Sequence, residues 1–297
     1  MKPSTSTGLL AHEIFFGTFL VLTLARFIGT LGLASSEALL YLGLIAVNVV
    51  LIGLCVQNPS PWRWRVRLLF YVAAMNIIYF HMKTAIPRLQ PHFMDSLLEN
   101  IDSLVIGKNL SLRLQDFTHP VLTEFFSLCY ILFFPCLAFN IIYYLCSDLE
   151  SFKKFCAGVF TIYGLGFLGY SLLPATGPHV AMAAQFSTPL HGWGITRANA
   201  ALVAHGSNGV DVFPSLHCAI SSFLLFFDRR RRPWWFKLYL VPCVGLWIST
   251  IYLRYHYLVD VFCGLALAAF ALWIANRTPS RPSSPAVAIP ETIPQRT

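Results

Sequence analysis

Long apolar stretches separated by short polar or basic ones dominate this chain. A helix needs about 20 mostly apolar residues to cross roughly 30 Å of hydrocarbon. Eight stretches approach that length, and we predict that each forms a membrane-spanning helix. They lie at about 12–33, 38–57, 66–86, 120–146, 155–173, 213–228, 236–253 and 256–275. The pattern therefore predicts an all-α fold, a polytopic membrane bundle of about eight spans.

The composition excludes a soluble protein. Hydrophobic residues make up 56% of the 297 residues and charged ones only 11%, whereas an ordinary soluble domain has about 25% charged residues. The mean hydropathy is +0.63. An aromatic content of 15% also excludes a disordered chain. The class is an integral membrane protein whose partner is the bilayer, and only the Pro- and Ser-rich segment 277–297 is predicted to be disordered.

The net charge of +8 comes from basic residues in every second connection between spans. Because cytoplasmic loops carry an excess of Lys and Arg, this pattern predicts that both termini are cytoplasmic, and it indicates no nucleic-acid partner. The long connections 87–119 and 174–212 then face the opposite side. The first of them has apolar residues at the spacing of an amphipathic surface helix. The basic positions are Arg63, Arg65, Arg67, Lys153, Lys154, Arg229 to Arg232, Lys237, Arg277, Arg281 and Arg296.

Two histidines stand in a distinctive context. His217 follows Pro214 and Ser215 at the start of the sixth span, where Pro and Ser are typical of a helix N-terminus. The free N–H groups of such a terminus favour an anion, so Ser215 is a candidate phosphate-binding residue. His256 and Asp260 lie four residues apart, on one face of a helix. A carboxylate there can accept one ring N–H of the histidine and leave the other nitrogen as a nucleophile.

The predicted topology places both histidines at the same, non-cytoplasmic end of their spans. A Pro- and Gly-containing turn, residues 173–179, follows the fifth span on that side and ends at His179. We therefore expect His179, His217 and His256 to share one site, with His179 pointing a hydrogen-bond donor into it.

These motifs resemble those of the type-2 phosphatidic acid phosphatase superfamily. The residues that carry the resemblance are Pro214-Ser215-Leu216-His217, then Ser249, and then His256 with Asp260. Their form is most similar to the branch that contains inositol phosphorylceramide synthases, and segments 101–107 and 173–179 also resemble that branch. The similarity covers about residues 85–276. It implies a six-helix catalytic membrane core there, preceded by N-terminal membrane helices in residues 1–84 and followed by a cytoplasmic tail, 277–297.

The resemblance implies a two-step transfer. His256 attacks phosphorus to form a phosphohistidine, Asp260 steadies its imidazolium, and His217 protonates the departing alkoxide. Water or an alcohol then accepts the phosphoryl group, and neither a metal nor another cofactor is required. Thr250 and His179 stand where relatives have arginine, so we expect Arg254 to take the place of a missing arginine and His179 and Lys83 to assist it. The implied phosphate-binding residues are Arg254, His179, Lys83 and Ser215, with Asp102 as a further candidate.

We therefore predict a lipid phosphatase or phosphotransferase that acts on a lipid phosphate or phospholipid at the non-cytoplasmic face. The branch resemblance favours transfer of a phospho-headgroup between lipids. A transporter with Arg26, Arg254 and Asp260 along its path is an open alternative. A metal-dependent hydrolase with His217, His256 and Asp260 as ligands is another. A bacterial inner membrane is favoured, with a eukaryotic secretory membrane as the alternative.

Overall fold

The computed structural model describes residues 8–279, and all regular secondary structure within them is helical. Seven stretches are long and apolar enough to cross a membrane, with α6 and α7 counted as one. The predicted polytopic helical bundle is therefore confirmed, whereas the predicted tail lies almost wholly outside the described residues. The helices are α1 Ala11–Leu31, α2 Ser36–Gln57, α3 Pro61–Leu89, α4 Asp95–Ile106, α5 Leu110–Leu114, α6 Pro120–Ile131, α7 Phe133–Cys146, α8 Leu149–Leu172, α9 Pro178–Ala181, α10 Gly194–Gly206, α11 Leu216–Asp228, α12 Pro233–Tyr252 and α13 Leu258–Arg277.

The sixth predicted span is shorter than the others. It corresponds to α11, an apolar helix of 13 residues that begins at Leu216 rather than at 213. Ser215 sets that start, because its hydroxyl accepts the backbone N–H of Cys218 at 3.3 Å. At about 1.5 Å per residue, a helix of this length crosses only part of a bilayer.

Helix caps move two other boundaries away from the predicted ones. α3 begins at Pro61 because the hydroxyl of Ser60 accepts the backbone N–H of Arg63 at 3.2 Å. Arg63 and Arg65 therefore lie in the first turns of α3 rather than in the preceding connection. α8 likewise begins at Leu149, where Asp148 is the cap. A search for apolar runs leaves out charged residues near the start of a helix. The predicted spans are therefore shorter than α3 and α8 at this end.

The predicted span 120–146 is interrupted between α6 and α7. Proline has no N–H, so Pro135 cannot donate to the carbonyl of Ile131 as a helical residue would. The α-helical hydrogen-bond pattern therefore ends at Ile131 and begins again at Phe133. The interruption lies beside the candidate site described below, to which both helices contribute aromatic residues.

α8 is the centre of the bundle. Its apolar window is 78% buried, against 22–39% for the windows of the other spans, and it packs against α1, α3, α11 and α13. Gly164 permits the contact with α1, since a Cβ at that position would lie 2.8 Å from the backbone of Phe16. Because other helices surround α8, fifteen of its residues are buried and it has no polar stripe along its length.

Two charged groups in the spans have protein partners, which lowers the cost of placing them in a low-dielectric environment. Arg67 donates to both carboxylate oxygens of Glu13, at 2.5 and 2.6 Å, and so links α3 to α1. Arg26 is partly buried and donates to the carbonyl of Ser171 in α8 at 2.8 Å. The N-terminal helices are therefore joined to α8 by this polar contact as well as by apolar packing.

Four short helices, α4, α5, α9 and α10, lie in the two long connections between spans. α4 confirms the helix expected within 87–119; it packs against α13, and its Leu104 and Val105 are exposed. Its position at the membrane surface, like the orientation of the termini, stays a prediction.

We predict that Gly264→Ala destabilises the protein. A Cβ there would lie 2.4 Å from the backbone carbonyl oxygen of Ser215, so the start of α11 must shift away from α13. Overpacking of this kind costs roughly 1–3 kcal/mol. Thermal unfolding in detergent measures it, with Gly43→Ala as the control, because no atom lies within 4 Å of a Cβ at Gly43. Equal unfolding temperatures for the two variants would contradict the close α11–α13 contact.

Candidate active site

A cavity of about 340 Å³ lies where α11 and α13 begin. Three of the predicted site residues line it, namely His179, His217 and His256. Most of the other lining residues are aromatic or aliphatic, so the histidines form a polar end on an otherwise apolar space. The remaining lining residues are Met75, Asn76, Tyr79, Phe80, Tyr130, Phe133, Phe134, Leu137, Tyr163, Tyr170, Thr176, Leu202, Val203, Gly206, Ser207, Asp211, Val212, Leu216 and Tyr255.

His217 is held in the first turn of α11. The backbone N–H of Ser215 donates to the backbone carbonyl of Asp260 at 3.0 Å, which fixes the start of α11 against α13. The imidazole then lies between two aromatic rings, with centroids 4.7 Å from Tyr130 and 4.8 Å from Phe133. This packing leaves the ring few orientations and directs it towards the cavity.

His256 lies in the short turn between α12 and α13. Arg254 has a φ of 68°, the left-handed conformation that reverses the chain after a helix. The backbone N–H groups of Tyr255 and His256 both donate to the carbonyl of Thr250. The turn brings the imidazole of His256 to a centroid distance of 5.8 Å from that of His217. The two predicted histidines therefore meet across one small space.

Asp260 lies behind His256, away from the cavity. Its Oδ2 is 3.5 Å from the Nδ1 of His256, and the same oxygen accepts the backbone N–H of Tyr257 at 2.7 Å. The contact with the imidazole is longer than a hydrogen bond, and contacts of this kind often shorten only when substrate binds. Because Nδ1 faces the carboxylate, Nε2 is the ring nitrogen on the side away from Asp260.

Burial keeps His256 uncharged. It lowers the pKa of the imidazole from 6.5 to about 4, although the nearby carboxylate of Asp211 acts in the opposite direction. Burial also lowers the pKa of His179. At neutral pH both side chains therefore have a free lone pair on one ring nitrogen, which is the form a nucleophile requires.

His179 is positioned by a turn that Asp95 organises. The carboxylate of Asp95 in α4 accepts the backbone N–H groups of Thr176 and Gly177, at 3.0 and 2.8 Å, and the hydroxyl of Tyr257 at 3.0 Å. Gly177 has a φ of 84°, which favours glycine. The backbone N–H of His179 then donates to the carbonyl of Arg254 at 2.7 Å. The turn after α8 and the turn before α13 thus form one unit.

The structure does not bring Arg254 to the cavity. Its guanidinium donates to the carbonyl of Thr188 at 2.5 Å and lies over the ring of Phe186 at 3.9 Å. Lys83 is exposed on α3, and Ser215 is the cap of α11. The transporter alternative places Arg26, Arg254 and Asp260 on one path, yet none of these three side chains lines the cavity.

Asp102 does not line the cavity and instead binds the start of α13. Its carboxylate accepts the backbone N–H groups of Leu258 and Val259, at 2.7 and 3.0 Å, which are the first residues of α13. Burial raises the pKa of the carboxyl, while these two hydrogen bonds lower it. Asp102 therefore caps the helix that carries Asp260.

Asp211 was missed in the sequence analysis. It lines the cavity beside the histidines, where it accepts the hydroxyl of Tyr79 at 2.5 Å and that of Ser207 at 2.8 Å. A signal was present, because Asp211 is the only acidic residue in the connection 174–212. Tyr79 gave no such signal, since a tyrosine within an apolar span is ordinary.

Comparisons with known proteins agree on the region that contains this site. A family model described as the PAP2 superfamily, which is the type-2 phosphatidic acid phosphatase superfamily, matches residues 103–274. The chain is 26% identical over 166 residues to a phosphoinositol dihydroceramide synthase from Bacteroides thetaiotaomicron. That alignment covers 50% of this chain and 52% of the relative, so the chain spans about half the length of the curated relative it matches. No solved structure matches the chain.

We predict that Asp102→Ala destabilises the protein by about 1 kcal/mol, because two N–H groups at the start of α13 lose their acceptor. Asp102→Asn keeps an acceptor oxygen and should retain most of the stability. Thermal unfolding of the two variants in detergent makes the comparison. Equal stability of Asp102→Ala and the unsubstituted protein would show that the cap contributes nothing.

Proposed function

Because the chain belongs to the PAP2 superfamily, we propose that it is a membrane enzyme that transfers or hydrolyses phosphoryl groups of lipids through a phosphohistidine. The observation that carries this proposal is the 5.8 Å separation of the His217 and His256 rings at one cavity, with Asp260 behind His256. Both imidazoles line the cavity, so a phosphoryl group bound at this end can contact both of them. An in-line displacement needs the nucleophile and the acid to reach one phosphorus centre in this way.

In the first step, His256 is the nucleophile. The lone pair on Nε2 forms a bond to phosphorus while the bond between phosphorus and the leaving alkoxide oxygen breaks. His217 acts in its protonated form and gives its proton to that oxygen. The imidazole of His256 becomes positively charged in the intermediate, and the carboxylate of Asp260 near its Nδ1 stabilises that charge. A positioned acid of this kind contributes about 10²–10⁴-fold to the rate.

In the second step, His217 is the base. It takes a proton from water or from a lipid alcohol, and the oxygen of that acceptor bonds to phosphorus. The bond between phosphorus and Nε2 breaks, and its electron pair returns to His256. Both histidines end in the protonation states in which they began, so no other co-reactant is needed.

The phosphate oxygens need donors at the cavity. His179 is the first of the candidate residues because it lines the cavity, and the start of α11, capped by Ser215, offers backbone N–H groups. Arg254 could approach only by leaving the carbonyl of Thr188, and Lys83 only by a larger movement. We therefore rank His179 and the α11 start above Arg254 and Lys83 as phosphate contacts.

The printed name of the relative supports a transferase. It is a phosphoinositol dihydroceramide synthase, so we propose that this chain also moves a phospho-headgroup from one lipid to another, with water as a competing acceptor. The positive-inside pattern favours a site on the non-cytoplasmic face of a bacterial inner membrane. We further propose that residues 85–276 form the catalytic core and residues 1–84 an N-terminal addition, although α3 continues across that boundary to Leu89.

We predict that His256→Ala abolishes turnover, by a factor on the order of 10³ or more, because no nucleophile remains. His217→Ala should lower it about 10²–10⁴-fold through loss of the acid and base. Product release is measured with purified protein on phosphatidate, diacylglycerol pyrophosphate and polyprenyl pyrophosphate, and on phosphatidylinositol with dihydroceramide as acceptor. His205→Ala is the control, because His205 is exposed and does not line the cavity. Full turnover by His256→Ala would refute the mechanism.

We predict that activity persists well below the pH at which an ordinary histidine becomes protonated. Protonated His256 cannot attack, so kcat/KM falls as the pH decreases through its pKa of about 4. Asp211→Asn removes a carboxylate that raises this pKa and should move the acidic limb to still lower pH. A phosphodiester donor is used, since its charge does not change over this range. An acidic limb near 6.5 in both proteins would contradict the assignment.

A further inference from the structure

The cavity extends well beyond the histidines, and its distal part is mostly apolar, with Asn76 as a polar lining residue beside Met75. Phe133 of α7 packs against His217, and Leu137 lies one helical turn further along the same helix. On the opposite wall, Tyr79 of α3 donates to Asp211, and Met75 lies one turn further from the histidines. Met75 and Leu137 therefore mark the end of the cavity that is remote from the histidines.

This apolar part opens sideways between α3 and α7. Phe80 and Phe134 line the cavity and yet are 61% and 43% exposed. α3 packs on α2 and α8, and α7 packs on α8 and α11, so neither is a main packing partner of the other. Both helices belong to stretches long and apolar enough to cross a membrane. We therefore infer that the opening faces hydrocarbon rather than water.

One wall of the opening comes from outside the region shared with the family. The family match begins at residue 103, whereas α3 ends at Leu89. α3 is nevertheless fixed to the site, since Tyr79 donates to Asp211 at 2.5 Å and its carbonyl accepts the amide of Asn208 at 3.0 Å. α3 thus completes a cavity that the matched region alone would leave open.

We propose that the gap between α3 and α7, lined by Met75, Tyr79, Phe80, Phe134 and Leu137, binds one hydrocarbon chain of the lipid substrate. The inference rests on the proposed function, because the chain would occupy the gap while the phosphate of the lipid contacts His217 and His256. Three observations support this occupant. The wall is mostly apolar, the gap is continuous with the histidine end, and its exposed rings lie on helices apolar enough to cross a membrane. α3 thereby selects the substrate by its chain.

The first test narrows the gap. Met75→Trp and Leu137→Trp each place a large ring at the distal end, from opposite walls. The probes are phosphatidate and phosphatidylinositol, each in dioleoyl and dihexanoyl form. We expect kcat/KM for the dioleoyl lipid to fall by about tenfold or more and that for the dihexanoyl lipid to stay near that of the unsubstituted protein. Retained turnover of the short lipid also shows that each variant is folded.

The matched controls are Ile77→Trp and Ile142→Trp. These residues lie on the same two helices, are 47% and 60% exposed, and do not line the cavity. Their ratio of kcat/KM for the dioleoyl lipid to kcat/KM for the dihexanoyl lipid should equal that of the unsubstituted protein. An equal effect of Met75→Trp or Leu137→Trp on long and short lipids would overturn the proposal, and so would an equal chain-length preference in the controls.

A second measurement does not depend on turnover. Phosphatidate with a diazirine at the end of one chain is photoactivated with the protein in bilayers, and the labelled residues are mapped by mass spectrometry. We expect labelling of α3 and α7 around Met75 and Leu137 that excess unlabelled phosphatidate removes and that the tryptophan variants lose. Labelling spread over exposed positions such as Ile77 and Ile142 would overturn the proposal. Specific labelling without turnover would instead refute the proposed function and leave the chain site standing.

Discussion

The start of α11 and the start of α13 are held together by a single backbone hydrogen bond, from the N–H of Ser215 to the carbonyl of Asp260 at 3.0 Å. Backbone N–H and C=O groups inside a membrane protein have no water to bind, so each needs a hydrogen-bond partner in the protein. Gly264 permits the approach because it has no Cβ to meet the Ser215 backbone. The candidate site depends on this contact, since His217 and His256 come from separate helices and reach one cavity only when the two starts coincide.

Burial of His256 between α12 and α13 affects both its packing and its protonation. His256 is 2% exposed, and the same burial that fixes the ring lowers its pKa to about 4. The uncharged imidazole fits the role of nucleophile that we propose for it, and that role then needs no separate base. In the proposed mechanism, Asp260 on the far side of the ring stabilises its positive charge once phosphorus is bound. Asp95 and Asp102 position the histidines indirectly. Asp95 accepts a backbone N–H of the turn before His179, and Asp102 accepts one at the start of α13, just after His256.

The helices and the histidine pair could be predicted because each depends on residues close together in the sequence. Apolar runs indicate the spans, and the four-residue spacing of His256 and Asp260 indicates that these two side chains lie on one helical face. The sequence also predicts that His179, His217 and His256 share one end of the bundle. Sequence spacing does not determine the direction of a long side chain. Arg254 donates to the carbonyl of Thr188 and does not reach the cavity. Asp211 and Tyr79 meet across the bundle, so their contact follows from tertiary packing alone.

The mechanism makes its most direct claim about one bond, between phosphorus and the imidazole of His256. Purified protein is mixed with a radiolabelled phospholipid donor, quenched in base within the first turnover, and digested for mass spectrometry. We predict a phosphoryl or phospho-headgroup adduct on His256 that survives base, is lost in acid, and accumulates when no acceptor alcohol is supplied. An adduct on another residue, or turnover with no protein-bound phosphorus at any time, would contradict it.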